Sequence, residues 1–235
     1  MNINFLSWDS EFFKKKIGLI QFNSAYKSNL ENLLTLAKLE GYELIYLFAE
    51  KEAFIDANIL NEFYGKLVDR KITFEKSLTL NNNNFSNVEI YNSTILCKEL
   101  EDLAYLSGKK SRFLIDGNFA PTDFYRMYKT WITNSLNKKI ADHIFVTKTN
   151  GIITGMATLK TKSGIGEIGL IAISEIGQGK GFGKQLIYAI ENKLIKLNID
   201  KLEVPTQMDN KQACSFYEKC GFSVKSIVNI YHFWL

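Results

Sequence analysis

Apolar positions along the chain follow two rhythms. Leu30, Leu33, Leu34 and Ala37 recur at helical spacing and predict a helix over about residues 29–40, with Gly41 as its stop. ELIYLFA, residues 43–49, is a short continuous apolar run and reads as a strand. A helix over 53–64 ended by Gly65 follows, and KLVDRKITFEKSL reads as one or two strands. NVEIYNS predicts a short strand, and residues 100–106 a helix. Pro121-Thr122-Asp123 opens another helix, on which Phe124, Tyr128, Trp131, Ile132 and Ser135 share a stripe. HIFVTK and IITGMATLK are joined by Thr149-Asn150-Gly151, and Asn-Gly between apolar runs is the strongest short hairpin signal. GEIGLIAIS, residues 166–174, is a third strand. A helix over 181–197 turns Leu186, Ile187, Ile190 and Leu194 inward. KLEVPT is a strand, residues 210–219 a helix closed by Gly221, and FSVKSIVNIYHFWL a final strand.

The fold class is therefore α/β, and its one visible seam is the polar stretch NNNNFSN, residues 81–87, since asparagine favours turns. The seam divides the chain into residues 1–87 and 88–235. Both halves contain a strand, loop, helix, glycine and strand in that order, with Phe63-Tyr64 before Gly65 and Phe216-Tyr217 before Gly221. That weak internal similarity points to a partial duplication.

Composition narrows the chemistry. The 235 residues are 46% hydrophobic, enough for a sizeable core. A net charge of +4 suits a small anionic ligand and is too slight and dispersed for nucleic acid. No apolar run is long enough to span a membrane, and the N-terminus lacks the pattern of a signal peptide. Cys97, Cys214 and Cys220 are odd in number, have no metal spacing, and read as free thiols in a reducing cytoplasm. With only two histidines, His143 and His232, neither a histidine-based metal site nor a Ser-His-Asp triad is expected.

Glycine stands at every second position of Glu175-Ile-Gly-Gln-Gly-Lys-Gly-Phe-Gly-Lys184, just before a helix. A P-loop would need four residues between Gly179 and the Gly-Lys pair, where there are three, and a hydroxyl residue at Gln185. A dinucleotide fingerprint would need glycine at Phe182 or Lys184. What fits is Q-x-x-G-x-G, Gln178 to Gly183, after an apolar strand. A plain helix-entry turn is the competing reading of that hexapeptide alone. Downstream, Asn210-x-x-Ala213-x-x-x-Tyr217-x-x-x-Gly221-Phe222 follows after one further strand. Together these segments resemble the GNAT acyltransferase superfamily. The resemblance implies a mixed, mostly antiparallel sheet flanked by helices, preceded here by a degenerate GNAT-like half.

It also implies acetyl-CoA as cosubstrate, without metal. Its pyrophosphate would lie on Gln178, Gly179, Lys180, Gly181, Phe182, Gly183 and Lys184, where helix-terminal N–H groups favour anions. Asn210 would contact the cofactor. Backbone of Leu170, Ile171, Ala172 and Ile173 would bind the pantetheine arm along a splayed strand, and N–H groups near Ile171 to Ile173 would hold the oxyanion. Tyr217 would protonate the leaving thiolate; the alternative for it is an ordinary core tyrosine. LSWDSEFF, SRFLIDGNFAPTDFYRMYKTWI, TQMDNKQACSFYEKCGF and YHFWL further resemble the dTDP-fucosamine acetyltransferases, two-domain GNAT enzymes of bacterial surface-polysaccharide synthesis. This implies acetylation of the 4-amino group of a dTDP-linked 4-amino-4,6-dideoxy sugar. Arg112, Phe113 and Tyr125 would line the nucleotide-sugar site, whereas Tyr128 and Trp131 read as core. Trp8-Asp9 and Phe12-Phe13 read as packing or as the seam of a homodimer. The base that frees the amine is Glu167, Glu203 or water, with water preferred. Another amine acceptor, or a CoA-binding sensor without catalysis, remains open.

Overall fold

The computed structural model describes residues 2–23, 29–79 and 85–235, so most of the asparagine run of the seam, residues 81–84, lies outside the described residues. The chain forms two compact units. The first comprises Met1–Ile72, Gln207–Asp209 and Ser226–Leu235; the second comprises Thr73–Thr206 and Asn210–Lys225. The division differs from a single cut at residue 87. Two long strands, β4 (Gly65–Ser77) and β10 (Ser223–Trp234), each contribute residues to both units. At roughly 3.3 Å per residue, strands of this length extend well beyond the reach of one small core.

The first unit contains β1 (Asn4–Phe5), α1 (Ser7–Phe13), β2 (Ile17–Phe22), α2 (Leu30–Leu39), β3 (Leu44–Glu50) and α3 (Ala57–Glu62). Its strands are ordered β1-β2-β3-β10-β4. β2 runs parallel to β3, from Ile17↔Leu44 to Phe22↔Ala49, and β10 runs antiparallel to β3. Leu30, Leu34 and Ala37, the expected inward stripe of α2, pack with Ile20, Phe22, Ile45 and Leu47. α3 is shorter than its apolar pattern implies. Asp56 accepts the Asn58 N–H at 2.8 Å and sets the helix start there, leaving Ala53 to Ile55 outside it. Gly65 also plays another part than helix stop. Tyr64 takes the left-handed turn at φ +52°, while an added Cβ on Gly65 would lie 2.3 Å from the Phe233 ring.

The second unit contains β5 (Val88–Ile90), α4 (Lys98–Ser107), α5 (Arg112–Ile115), α6 (Pro121–Leu136), β6 (His143–Thr149), β7 (Ile152–Lys162), β8 (Ile165–Ile173), α7 (Phe182–Lys196), β9 (Lys201–Gln207) and α8 (Lys211–Lys219). Its strand order is β4-β9-β8-β7-β6-β5, antiparallel from β5 through β8 and parallel between β8 and β9. This is a mixed, mostly antiparallel sheet flanked by helices. Asn150 and Gly151, with φ of +51° and +82°, close a two-residue hairpin between Thr149 and Ile152, a backbone matched to strand twist. α4 and α6 bury Leu100, Leu103, Phe124, Tyr128 and Ile132 against Ile144, Val146 and Met156, and Trp131 packs beside them. α7 lays Leu186, Ile187, Ile190 and Leu194 against β6, β7 and β8, coming so close that a Cβ on Gly166 would meet Leu194 at 2.4 Å. Among the described residues no helix is long and apolar enough to cross a membrane.

The Gly65–Phe233 contact gives a direct test. Gly65→Ala inserts a methyl group into a packed ring and should destabilise the fold by about 1–3 kcal/mol. Urea denaturation should show a lowered midpoint, and an unchanged midpoint would contradict the contact.

Candidate active site

The site begins where two strands part. β8 pairs with β9 only at Gly166↔Leu202 and Glu167↔Glu203, although β8 continues to Ile173 and β9 to Gln207. On its other side β8 stays paired with β7 up to Gly155↔Ile173. Within that pairing, Leu159 faces Ile168 and Ala157 faces Ile171, so Gly169 and Leu170 together oppose Thr158. This is a β-bulge, a device that kinks a strand and ends pairing. The Leu170 N–H donates to Thr158 Oγ1 at 2.9 Å, and the Ser174 N–H to the Thr154 carbonyl at 2.8 Å. Backbone groups alternate sides along a strand, so those of Ile171 and Ile173 point the other way, into the gap. The Ile173 carbonyl accepts the Gln178 side-chain amide at 3.5 Å.

A single 3-10 turn, Glu175–Gly177, leads from the gap to the glycine loop. Gly179 and Gly181 have φ of +74° and +73°, the left-handed region that glycine enters without strain. Gly181 is the N-cap of α7 and offers no side chain to cap it. The first intrahelical partner goes to the Gln185 N–H, bonded to the Gly181 carbonyl at 3.1 Å. The N–H groups of Phe182, Gly183 and Lys184 thus remain for an anion, at the positive end of the helix dipole.

α8 supplies the opposite wall. Asn210 Oδ1 caps it by accepting the Ala213 N–H at 3.2 Å, which leaves the Asn210 side-chain N–H groups as donors. Tyr217 is 3% exposed, its ring 5.6 Å from Phe74, 5.3 Å from Phe216 and 5.8 Å from Phe222. Burial raises the pKa of its phenol above the ordinary 10.0, and nearby Cys220 and Cys214 push the same way. The phenol is therefore a neutral donor at physiological pH.

Gap, loop and α8 enclose a cavity of about 600 Å³. Of the residues singled out in the sequence, Ile171, Ala172, Ile173 and Gln178 line it, as do Gly179, Gly181, Phe182, Gly183, Lys184, Asn210 and Tyr217. Leu170 does not; beyond the bulge its side chain turns into the core under α4 and α6. Lys180 points its ammonium to Thr149 Oγ1 at 3.4 Å. Arg112, Phe113 and Tyr125 lie outside the lining. Phe113 is buried, edge-on to Phe119 and Trp131; the Arg112 guanidinium sits 4.4 Å from the Phe113 ring centre; and Tyr125 is half-exposed on α6 against Tyr105.

Sequence reasoning missed Leu106 and Ser107 at the end of α4, and Gln212, Phe216 and Lys219 on α8 with its C-cap Cys220. The α8 residues lie within the recognised motif, at its unspecified positions; nothing in the sequence marks Leu106 or Ser107. Among the described residues no Asp, Glu or His lines the cavity, whereas Lys184 and Lys219 do. Glu203 is bound to Lys225 at 2.5 Å, Glu167 is exposed, and His143 stands at the start of β6, its pKa lowered by burial and by Lys193 and Lys138. A smaller cavity of about 240 Å³, between Tyr91 and Lys138, shares none of these residues.

Residues 113–222, which hold the splayed strand, the glycine loop and α8, match the acetyltransferase (GNAT) family. By this match that segment, 110 of the 235 residues, is GNAT-like. Members of this family use acetyl-CoA as donor. The uncharacterized N-acetyltransferase YvbK of Bacillus subtilis is 42% identical over 69 residues, a match spanning 29% of this chain and 44% of that protein, less than half its length. The spore coat polysaccharide biosynthesis protein SpsD of the same organism is 23% identical over 240 residues, covering 97% of this chain and 81% of SpsD. A GNAT acetyltransferase structure from Novosphingobium aromaticivorans superposes with a TM-score of 0.56 at 13% identity, over 86% of this chain and 80% of that one. This last likeness is one of fold.

Two outcomes are expected from the site's geometry. In Gly181→Val a β-branched residue at φ +73° costs about 1–3 kcal/mol, and a loop that relaxes away from that strain misdirects its amides. Calorimetric titration should then show acetyl-CoA binding weakened by about tenfold or more, since 1.4 kcal/mol is one decade; unchanged binding would exclude the loop as the anion site. Because burial holds the Tyr217 phenol protonated past its ordinary range, the pH profile of kcat should show no basic loss below pH 10.0. A basic limb that disappears in Tyr217→Phe would contradict this.

Proposed function

We propose that the protein transfers acetyl from acetyl-CoA to the 4-amino group of a dTDP-linked 4-amino-4,6-dideoxy sugar, in the cytoplasm, for bacterial surface polysaccharide. The observation carrying the donor half is the gap between β8 and β9 opening beside the uncapped end of α7, with a buried phenol at its wall. The donor diphosphate rests on the amides of Phe182 to Lys184, and the pantetheine amides bond the backbone of Ile171 and Ile173 as an added strand would. The thioester then lies near Tyr217. The acceptor amine attacks the carbonyl carbon, the developing oxyanion is held by backbone N–H groups facing the gap, and the C–S bond breaks as Tyr217 gives its proton to the sulfur. With no carboxylate or imidazole in the lining, the amine proton leaves through water.

The acceptor half draws support from the near full-length similarity to SpsD, whose name places it in spore coat polysaccharide biosynthesis. It also draws on charge: a lining with lysines and no acid suits an anionic nucleotide sugar better than a polyamine. A different amine acceptor is the second reading, favoured by the position of Phe113 inside the core rather than at the cavity. A sensor without catalysis is disfavoured by the phenol at the cavity wall.

Tyr217→Phe should lower kcat by about 10²–10⁴-fold, the usual weight of a general acid, and leave acetyl-CoA affinity nearly unchanged. Thermal-shift assays with CoA present should show stabilisation by a dTDP-4-amino sugar and none by its UDP counterpart. Equal stabilisation by both, or by neither, would remove the dTDP acceptor and leave the second reading.

A further inference from the structure

We propose that Lys76 is a positioning residue of the acetyl-CoA site, tying α7 to α8 and so fixing the span between the anion-binding amides and the Tyr217 phenol. The inference rests on the donor reading above. Lys76 lies near the end of β4, before the polar seam, and no motif read from the sequence includes it. Its ammonium donates to Glu191 Oε1 at 2.5 Å and to the Cys220 carbonyl at 2.8 Å, and sits 5.7 Å from the centre of the Phe222 ring. Glu191 belongs to α7, whose first turn presents the amides, and its side chain is fully buried. Cys220 is the C-cap of α8, three residues after Tyr217.

One ammonium thus joins the two walls of the cavity without lining it. The chemistry suits each end. A carboxylate withdrawn from water holds a cation strongly, because removing that cation leaves an uncompensated buried charge. A carbonyl at a helix C-terminus carries partial negative charge and attracts an ammonium. A donor molecule seated by its diphosphate on α7 presents its thioester to α8. It engages both walls only when their spacing is right, and misplacement of reacting groups by an ångström is costly.

Lys76→Met alone takes a cation from the buried Glu191 carboxylate and is expected to destabilise the fold strongly. The test therefore uses the double variant Lys76→Met/Glu191→Met, which removes both charges at similar volume, with Glu191→Gln as a second variant. Calorimetric titration compares ADP, which meets only the α7 amides, with acetyl-CoA, which must meet both walls. In folded variants ADP affinity should stay within about twofold of wild type, while acetyl-CoA binding and kcat fall by about ten- to a hundredfold, as expected for misplaced reacting groups. Acetyl-CoA binding and kcat equal to wild type in either folded variant would overturn the proposal. So would an equal loss for both ligands, which marks general loosening. A wild-type protein that fails to bind acetyl-CoA would instead overturn the donor reading itself.

Discussion

The separation of β8 from β9 beyond Glu167 is the constraint on which the site depends. A sheet normally pairs every backbone N–H and C=O, and a buried group left unpaired costs about 1–3 kcal/mol. Here β9 leaves the Ile171 and Ile173 groups without a strand partner, but at the wall of a cavity where a side chain, water or a ligand can satisfy them, as the Gln178 amide does for the Ile173 carbonyl. The bulge makes the arrangement workable. By placing Gly169 and Leu170 against one residue of β7, it keeps Leu170 and Ala172 in the core beneath α4 and α6 while β8 turns away from β9. The Leu170 N–H, which the bulge would otherwise orphan, is taken by Thr158 Oγ1.

The rest of the site is arranged around that edge. An uncapped helix end contributes partial positive charge, two lysines at the lining add formal charge, and a phenol kept neutral by burial faces the same space. The arrangement is polarised: partial and formal positive charge gathers at one wall and a neutral phenol stands at another, with no carboxylate or imidazole in the lining among the described residues. On the proposed reading an amine acceptor would lose its proton to solvent, which makes the path for water part of that mechanism.

Legibility in the sequence followed the range of the interactions. The hairpin at Asn150-Gly151 was readable because both residues must adopt positive φ. The glycine loop was readable because Gly179 and Gly181 answer a local backbone demand, and α8 because its cap and its phenol fall at fixed spacing. β2 went unread: six residues with a glycine at the second position carry little pattern, and Gly18 is explained only by Ile3, Ile45 and Tyr42 crowding its missing Cβ. Gly65 looked like a helix stop because the sequence does not reveal Phe233 above it. The parting of β8 from β9 is a failure of pairing and leaves no compositional trace. Phe113 and Tyr125 lie outside the cavity lining, and an aromatic on an amphipathic helix is spelled alike whether it meets a ligand or a neighbour.

The seam itself carries the same lesson. A polar run in a sequence reports solubility of that stretch and carries no record of which core a neighbouring strand enters. Along β4, Val68 and Ile72 are buried in the first unit, while Phe74 and Lys76, two and four residues past Ile72, serve the second. Phe74 lies against the Tyr217 ring, and Lys76 holds Glu191 and the end of α8. A catalytic fragment cut at residue 87 would lose both, baring the phenol on one side and leaving the Glu191 carboxylate without its ammonium. The second compact unit begins at Thr73, inside a strand that composition alone assigns to the other half.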